Sequence, residues 1–392
     1  MYNSLFINEN LDKGSHSEDA LKGISETTNL IEAINYSDLY KLLGKYEFEE
    51  YIKKIIKKNN VELLFFGIGA GMIIDIFFIK ELSEKFNIKI IMSFSDSEHL
   101  FEDIDRYYAQ TADLVWLFNP SLEKIFNIYG IPTFCSQGFD TKRYKKKSLK
   151  KSIDVSFIGG INRGNRKEYI NFLISKGIDI KVAGYGTKKG IISTEEKNMI
   201  ASQTKINLNF TGVLNHDRSI YNRIKQPKGR PQEISLVGSF TLSEYASGLE
   251  EVFNIGEDID LFHTKEEMLE KINFYLKNDE KREIMASNAY ERVSDFYETS
   301  NVVKRLLMNL KTDEKINKTY FVDSQFAYAH TSARFYYLIM SILHFNLRSM
   351  IKEIQSIIKY KGIRFKNFYY DIPRAFYHYL RDLFVKNKAG FE

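Results

Sequence analysis

Twice along the chain, short apolar runs end in glycine turns and lead into amphipathic helices, and this alternation limits the fold more than any other feature. In the first series, residues 61–68 form an apolar run that enters Gly67-Ile68-Gly69-Ala70-Gly71 and then a helix over 72–86. A strand over 88–94 ends in Ser95-Asp96-Ser97, followed by a helix over 100–111, a strand over 114–117, a helix over 121–129 and a strand over 131–135. The second series starts with a strand over 154–158, the turn Gly159-Gly160 and a helix over 163–176. Strands over 178–183, 206–210 and 259–262 follow, with helices over 264–277, 279–296 and 299–312. Near-continuous apolar strands alternating with helices predict parallel sheets covered on both faces, the doubly wound α/β class. The expected organisation is an N-terminal Rossmann-like domain (1–141), a basic linker (142–152), a second Rossmann-like domain (153–314) and a helical aromatic and basic extension (315–392). Residues 1–27 read as loop around a short strand over 5–7, and 29–58 as two helices broken near Gly44.

The 392 residues suffice for two domains and a small third. With 44% hydrophobic and 27% charged residues the chain builds cores. Cys135 is its single cysteine, which excludes an internal disulfide and Cys-rich metal sites and suits a reducing compartment. The N-terminus lacks a basic start and an apolar h-region, and no apolar run approaches about 20 residues, so the expectation is a cytoplasmic protein. Residues 142–151 hold seven cations and no acid, which reads as a solvated connector. That block has one aromatic and no nucleic-acid module around it, so no nucleic-acid partner is expected.

The candidate site is the stretch 228–244, KGRPQEISLVGSFTLSE. Pro231 suits a helical first turn, Glu233 falls within that turn, and Lys228 and Arg230 stand just ahead. Cations there can take a diphosphate, and a carboxylate can take ribose hydroxyls. The same residues also read as a capped helix with solvated charges. Arg163, Arg166 and Lys167 open the helix over 163–176, where cations oppose the dipole unless an anion is bound. The polar loop over 211–226 carries His216, Asp217, Arg218 and Arg223. A rival site is the early glycine turn, with Gly69 at its centre and Asp96 as the downstream acid, taking S-adenosylmethionine or a dinucleotide. Its spacing departs from G-x-G-x-x-G, and tight packing asks for the same glycines. Two Asp-x-Asp pairs, Asp103/Asp105 and Asp258/Asp260, are not read as metal sites. The first pair diverges on a helix, and nothing nearby completes the second.

The run over 154–291 resembles the C-terminal domain of the CgeB-like glycosyltransferases, within the group-1 glycosyltransferases. The matching pieces are SFIGGINRGNRKEYINFLISKGIDIKVAGYG, NLNF, KGRPQEISLVGSFTLSEYASGLEEVFNIGEDIDLF and EEMLEKINFYLKNDEKREIMASNAYERV. A looser likeness covers the Asp96 turn, TADLVW and IPTFCSQGFD, so the resemblance spans roughly 61–310. It implies the GT-B architecture, two doubly wound domains facing a cleft with a nucleotide sugar held mainly by the second. It also implies metal-independent transfer from a UDP-, GDP- or dTDP-sugar to a glycan, lipid-linked or protein acceptor, as in surface polysaccharide synthesis. Glu233 matches the ribose-binding Glu, Arg230 the basic position before it, and Arg163 or Arg166 the basic start of the domain's first helix. Thr241, Leu242 and Ser243 match the turn whose backbone faces the diphosphate. Lys225 stands where retaining members carry the first Glu of E-x7-E, so the stereochemistry stays open. For an inverting reaction, Asp96 and His99 are the candidate bases by position, and turn capping explains them equally well. A non-catalytic binding or assembly protein on the same fold is the third reading.

Residues 345–392 hold ten Lys/Arg against four Asp/Glu, with Tyr and Phe interleaved. The extension reads either as a basic-aromatic surface for the inner face of a membrane or as a helical appendage packed on the chain or on a second subunit.

Overall fold

The computed structural model describes residues 1–94, 97–212, 225–227, 229–310, 323–360 and 365–389, without the side chains of 99, 325, 365–367 and 383–389. Six parallel strands form the first sheet: β1 (Asn3–Asn8), β2 (Asn29–Asn35), β3 (Leu63–Ile68), β4 (Lys89–Phe94), β5 (Leu114–Leu117) and β6 (Thr133–Cys135), in the order β2-β1-β3-β4-β5-β6. Its helices are α1 (His16–Thr27), α2 (Tyr36–Leu43), α3 (Lys45–Asn59), α4 (Ile76–Phe86), α5 (Ser97–Leu100), α6 (Arg106–Ala109) and α7 (Glu123–Ile128). The second sheet has β7 (Ile153–Ile158), β8 (Ile180–Ala183), β9 (Thr204–Asn209), β10 (Thr241–Glu244) and β11 (Asp260–Phe262), all parallel, in the order β11-β10-β9-β7-β8. Around it lie α8 (Arg166–Ser175), α9 (Thr194–Gln203), α10 (Arg230–Leu236), α11 (Lys265–Leu276) and α12 (Asp279–Ser294).

The side-chain period of two explains why β3 is apolar throughout. Leu64 and Phe66 join Leu5, Ile7, Ile90 and Met92 on one face, under α3 and α4. Leu63 and Phe65 join Phe6, Ile91, Leu114 and Trp116 on the other. That second face is covered by α13 (Thr299–Met308), whose Val302, Val303 and Leu306 are buried in it. The chain therefore returns to the first lobe, and α13, second-domain by sequence position, packs on the first. Gly23 of α1 marks the close approach, since a Cβ there would lie 2.5 Å from Thr299 Oγ1.

The N-terminal region differs from the sequence expectation. Residues 16–27 form a helix, capped by Ser15, whose side chain accepts from the Glu18 N–H at 3.3 Å. Residues 29–35 form an edge strand, not part of a helix. Leu30, Ile31 and Ile34 fit helical spacing, but β1 offers β2 a parallel backbone partner (Ile7↔Ile34), and tertiary pairing overrides the local pattern. The predicted helix over 100–111 is broken by a π-helical turn, Phe101–Asp105. The basic connector is exposed over 145–150, as expected, but Tyr144 is buried and Lys151 donates to Ser239 Oγ at 3.0 Å.

The extension is α14 (Ser324–Leu343), α15 (Leu347–Tyr360) and α16 (Phe365–Ala389). Helix α14 packs on both others, and α15 packs on α3 of the first lobe. A buried polar network joins them. Arg334 Nη1 donates to Tyr40 OH at 2.8 Å and faces Glu353 at 3.4 Å, while Nη2 donates to the carbonyls of Met72 (2.7 Å) and Ile73. Asp75 accepts from Lys45 Nζ and Ser356 Oγ, both at 2.6 Å, and from Tyr360 OH at 3.0 Å. Helices α14 and α15 are thereby held against the segment after the early glycine turn, and the extension packs on the first lobe there. Among the described residues no helix is long and apolar enough to cross a membrane.

Candidate functional site

Two cavities meet at Arg230 and Glu233. The larger, about 950 Å3 and open to solvent, separates the lobes at the C-terminal edges of both sheets. Its first-lobe wall includes His16, Phe94, Glu98 and Gln137, and its second-lobe wall Gln226, Gly229, Arg230 and Glu233. The smaller, about 310 Å3, runs behind them past Ser156, Lys197, Asn198 and Asn207. The lobes touch across the cleft. Gln226 Nε2 donates to Glu98 Oε2 at 3.2 Å, and a Cβ on Gly229 would lie 2.6 Å from Gln137 Oε1.

Glu233 sits in the first turn of α10, which carries Pro231 near its start as expected. The helix is seven residues long, so its side chains matter more than its dipole. Glu233 is buried, accepting from Tyr144 OH through Oε1 at 3.1 Å and from Lys197 Nζ through Oε2 at 3.0 Å. Arg230 Nε lies 3.8 Å from Oε2. Burial pushes the carboxyl up, but Lys197, Arg230 and His16 outweigh it and hold the pKa at about 2. The group is an anion at any physiological pH.

Arg166 opens α8 and is buried, its guanidinium donating to the carbonyls of Gly160 (2.8 Å) and Gly212 (3.0 Å). Burial, then the nearby Arg230 and Arg163, lower its pKa to about 10, with Glu244 opposing. Arg230 reaches the same turn, with Nη1 3.0 Å from where a Cβ on Gly159 would sit. Neither Arg166 Nε nor Arg230 Nε has a hydrogen-bond partner among the described residues. Two guanidinium groups thus adjoin the Gly159-Gly160 turn, and the helix α8 opens there, an arrangement that suits an anion. Lys225, in the E-x7-E position, pairs with Glu244 Oε1 at 2.9 Å, and Glu244 Oε2 accepts from the Thr211 N–H at 2.9 Å.

The other expected residues divide. Arg230 lies beside both Glu233 and Arg166, and Arg163, exposed ahead of α8, is near enough to Arg166 to lower its pKa. Thr241, Leu242 and Ser243 are not in a turn: they are fully buried in β10, paired with β9 on one side and, from Leu242 on, with β11 on the other. Their backbone groups serve the ladder between the neighbouring strands. Gly69 lies in the first lobe, where its N–H donates to Tyr36 OH at 3.0 Å and the Glu9 carboxylate occupies the space a Cβ would need. Burial raises the Glu9 pKa, with Lys41 opposing. A carboxylate filling the turn disfavours a phosphate ligand. His99 falls in α5, its side chain outside the described set; Asp96, Lys228 and the loop residues His216, Asp217, Arg218 and Arg223 lie outside the described residues. Asp258 is engaged by Arg292 and the Asn254 N–H, and Asp260 by Lys271 and Tyr275. Sequence reasoning missed His16, Tyr144 and Lys197, because each reaches Glu233 from a distant stretch with no motif of its own.

Residues 166–308 match a family model described as glycosyl transferase-like. No curated protein matches the chain. Among solved structures, the Alr3699/HepE protein of Anabaena, in complex with UDP and glucose, aligns at 12% identity and TM-score 0.58, over 79% of this chain and 99% of that one. A sucrose-phosphate synthase from Thermosynechococcus elongatus aligns at 11% identity and TM-score 0.55, over 79% and 98%. A Rickettsia africae glycosyltransferase aligns at 12% identity and TM-score 0.52, over 78% and 97%. Likenesses at this identity establish the fold: two doubly wound lobes facing a cleft, the GT-B architecture.

Proposed function

We propose that the protein is a glycosyltransferase, CgeB-like in its second lobe, that moves a sugar from a nucleotide-diphosphate donor to a glycan, lipid-linked or protein acceptor without a metal ion. The observation that carries this reading is the ionised Glu233 at the junction of both cavities, beside Arg230. A carboxylate has about four lone-pair sites. Tyr144 and Lys197 take two, which leaves capacity for both hydroxyls of a ribose. Arg230, Arg166, Arg163 and Lys228 supply charge for the diphosphate. The UDP held by the Anabaena protein and the glycosyl transferase-like match over the second lobe support this assignment.

Transfer breaks the anomeric C–O bond through a transition state resembling an oxocarbenium ion (compare). The departing diphosphate gains negative charge, so fixed guanidinium groups beside it lower the barrier. The acceptor hydroxyl approaches from the first-lobe wall. For an inverting reaction it loses its proton to Asp96 or His99, both of which follow β4 in the sequence.

Calorimetry with UDP, GDP, dTDP, S-adenosylmethionine and NAD tests the reading. A nucleoside diphosphate should bind, and Glu233→Ala should weaken it about tenfold or more, as expected for lost charged hydrogen bonds. Binding of S-adenosylmethionine or NAD alone contradicts it.

A further inference from the structure

We propose that the outer face of α15 is a docking surface for an anionic lipid membrane. Helix α15 buries Ser349, Glu353, Ser356, Ile357 and Tyr360 against the protein. On its outer side Leu347, Ile351, Ile354 and Ile358 are 63%, 47%, 39% and 65% exposed. Their spacing of i, i+4, i+7 and i+11 makes one continuous apolar stripe along the helix. Phe345, just before the helix, is 95% exposed. On α16 several aromatic residues are exposed as well, Tyr369, Tyr370 and Tyr377 most of all.

Charge decides the occupant. Arg348, Lys352 and Lys359 each follow a stripe residue by one position, so they line one flank of it. Arg348 and Lys359 rest on the rings of Tyr46 and Phe77 and make no ion pair among the described residues, with Asp75 and Glu81 the acids nearest Lys359, and Lys352 shares Glu49 at 3.5 Å. The only acid of α15, Glu353, is fully buried with Arg334, and on α16 Asp371 is buried against Ser332. The inward placement of two of the four acids in residues 345–392 makes the exposed side more basic than its composition. An apolar stripe edged by cations, with Tyr and Phe alongside, suits insertion at the acyl–headgroup boundary of an anionic bilayer. A second copy of the chain fits less well, because a two-fold contact sets the same cations against each other.

The test is co-sedimentation of the full chain with vesicles of phosphatidylcholine alone and with phosphatidylglycerol added. The chain should bind the anionic vesicles, release at high salt, and bind neutral ones weakly. Ile351→Asp with Ile358→Asp should cut binding about tenfold or more, and so should Arg348→Gln with Lys359→Gln. Both pairs are exposed, and an unchanged melting temperature checks the fold. No binding to anionic vesicles, or full binding by both variants, overturns the proposal. So does a dimer in light scattering that the Asp pair dissolves, which would give the stripe to a second copy.

Discussion

Glu233 draws its neighbours from four separate stretches: Tyr144 of the connector, Lys197 of α9, Arg230 of α10 and His16 of α1. Its pKa is depressed from 4.5 to about 2, so the folded state binds a proton less readily than the unfolded one. The stability it contributes is complete above about pH 4.5 and lost as pH falls toward 2. Urea unfolding across that window should show wild type losing roughly 2–3 kcal/mol more than Glu233→Gln. Tyr144→Phe removes one donor to Glu233 while keeping the ring. Affinity for the nucleotide should change about threefold to tenfold, read by calorimetry, with fold stability down by about 1 kcal/mol. The acid itself was legible from Pro231 and the cations ahead of it, because those signals are local. Its donors were not, since 36 and 89 residues separate Lys197 and Tyr144 from it.

Elements with continuous apolar character, such as β3 and β5, could be read from sequence because both faces of a parallel strand are buried. The edge strand β2 could not, since its half-exposed residues also fit a helix. Residues 241–243 lie in β10, whereas the resemblance sets them in the turn facing the diphosphate; nothing local separates a strand inside the sheet from the turn that follows it. For the extension, the aromatic pattern gave helices, yet the buried ions stayed hidden. Arg334→Met should destabilise by about 3 kcal/mol in urea unfolding, because Glu353 is left buried with only the Tyr40 hydroxyl and the Lys45 ammonium, 4.0 Å away, to compensate its charge. Adding Glu353→Leu should recover most of that loss. His330 of α14 is held down to about 4 by burial first, then by Arg334 and Lys45, against the pull of Asp75. The unfolded chain takes up its proton at higher pH than the folded one, so stability declines as pH falls from 6.5 through 4. His330→Phe should flatten that decline in thermal melts over the same range.

At the scale of the whole molecule, the chain closes on itself. It builds one lobe, crosses a connector, builds the second, and returns through α13 and the extension to the first. The connector sits where this matters, with Arg143 bound to Glu18 and Asp19 of the first lobe and Tyr144 bound to Glu233 of the second. Two lobes were legible because the strand–helix alternation occurs twice; the return of α13 was not, because an amphipathic helix does not record which sheet it covers. The most direct measurement is a crystal soaked with UDP. Its ribose should contact Glu233, with the diphosphate between Arg230 and Arg166. Density for UDP beside Gly67 to Gly71, or elsewhere in the first lobe with Glu233 untouched, would contradict the assignment.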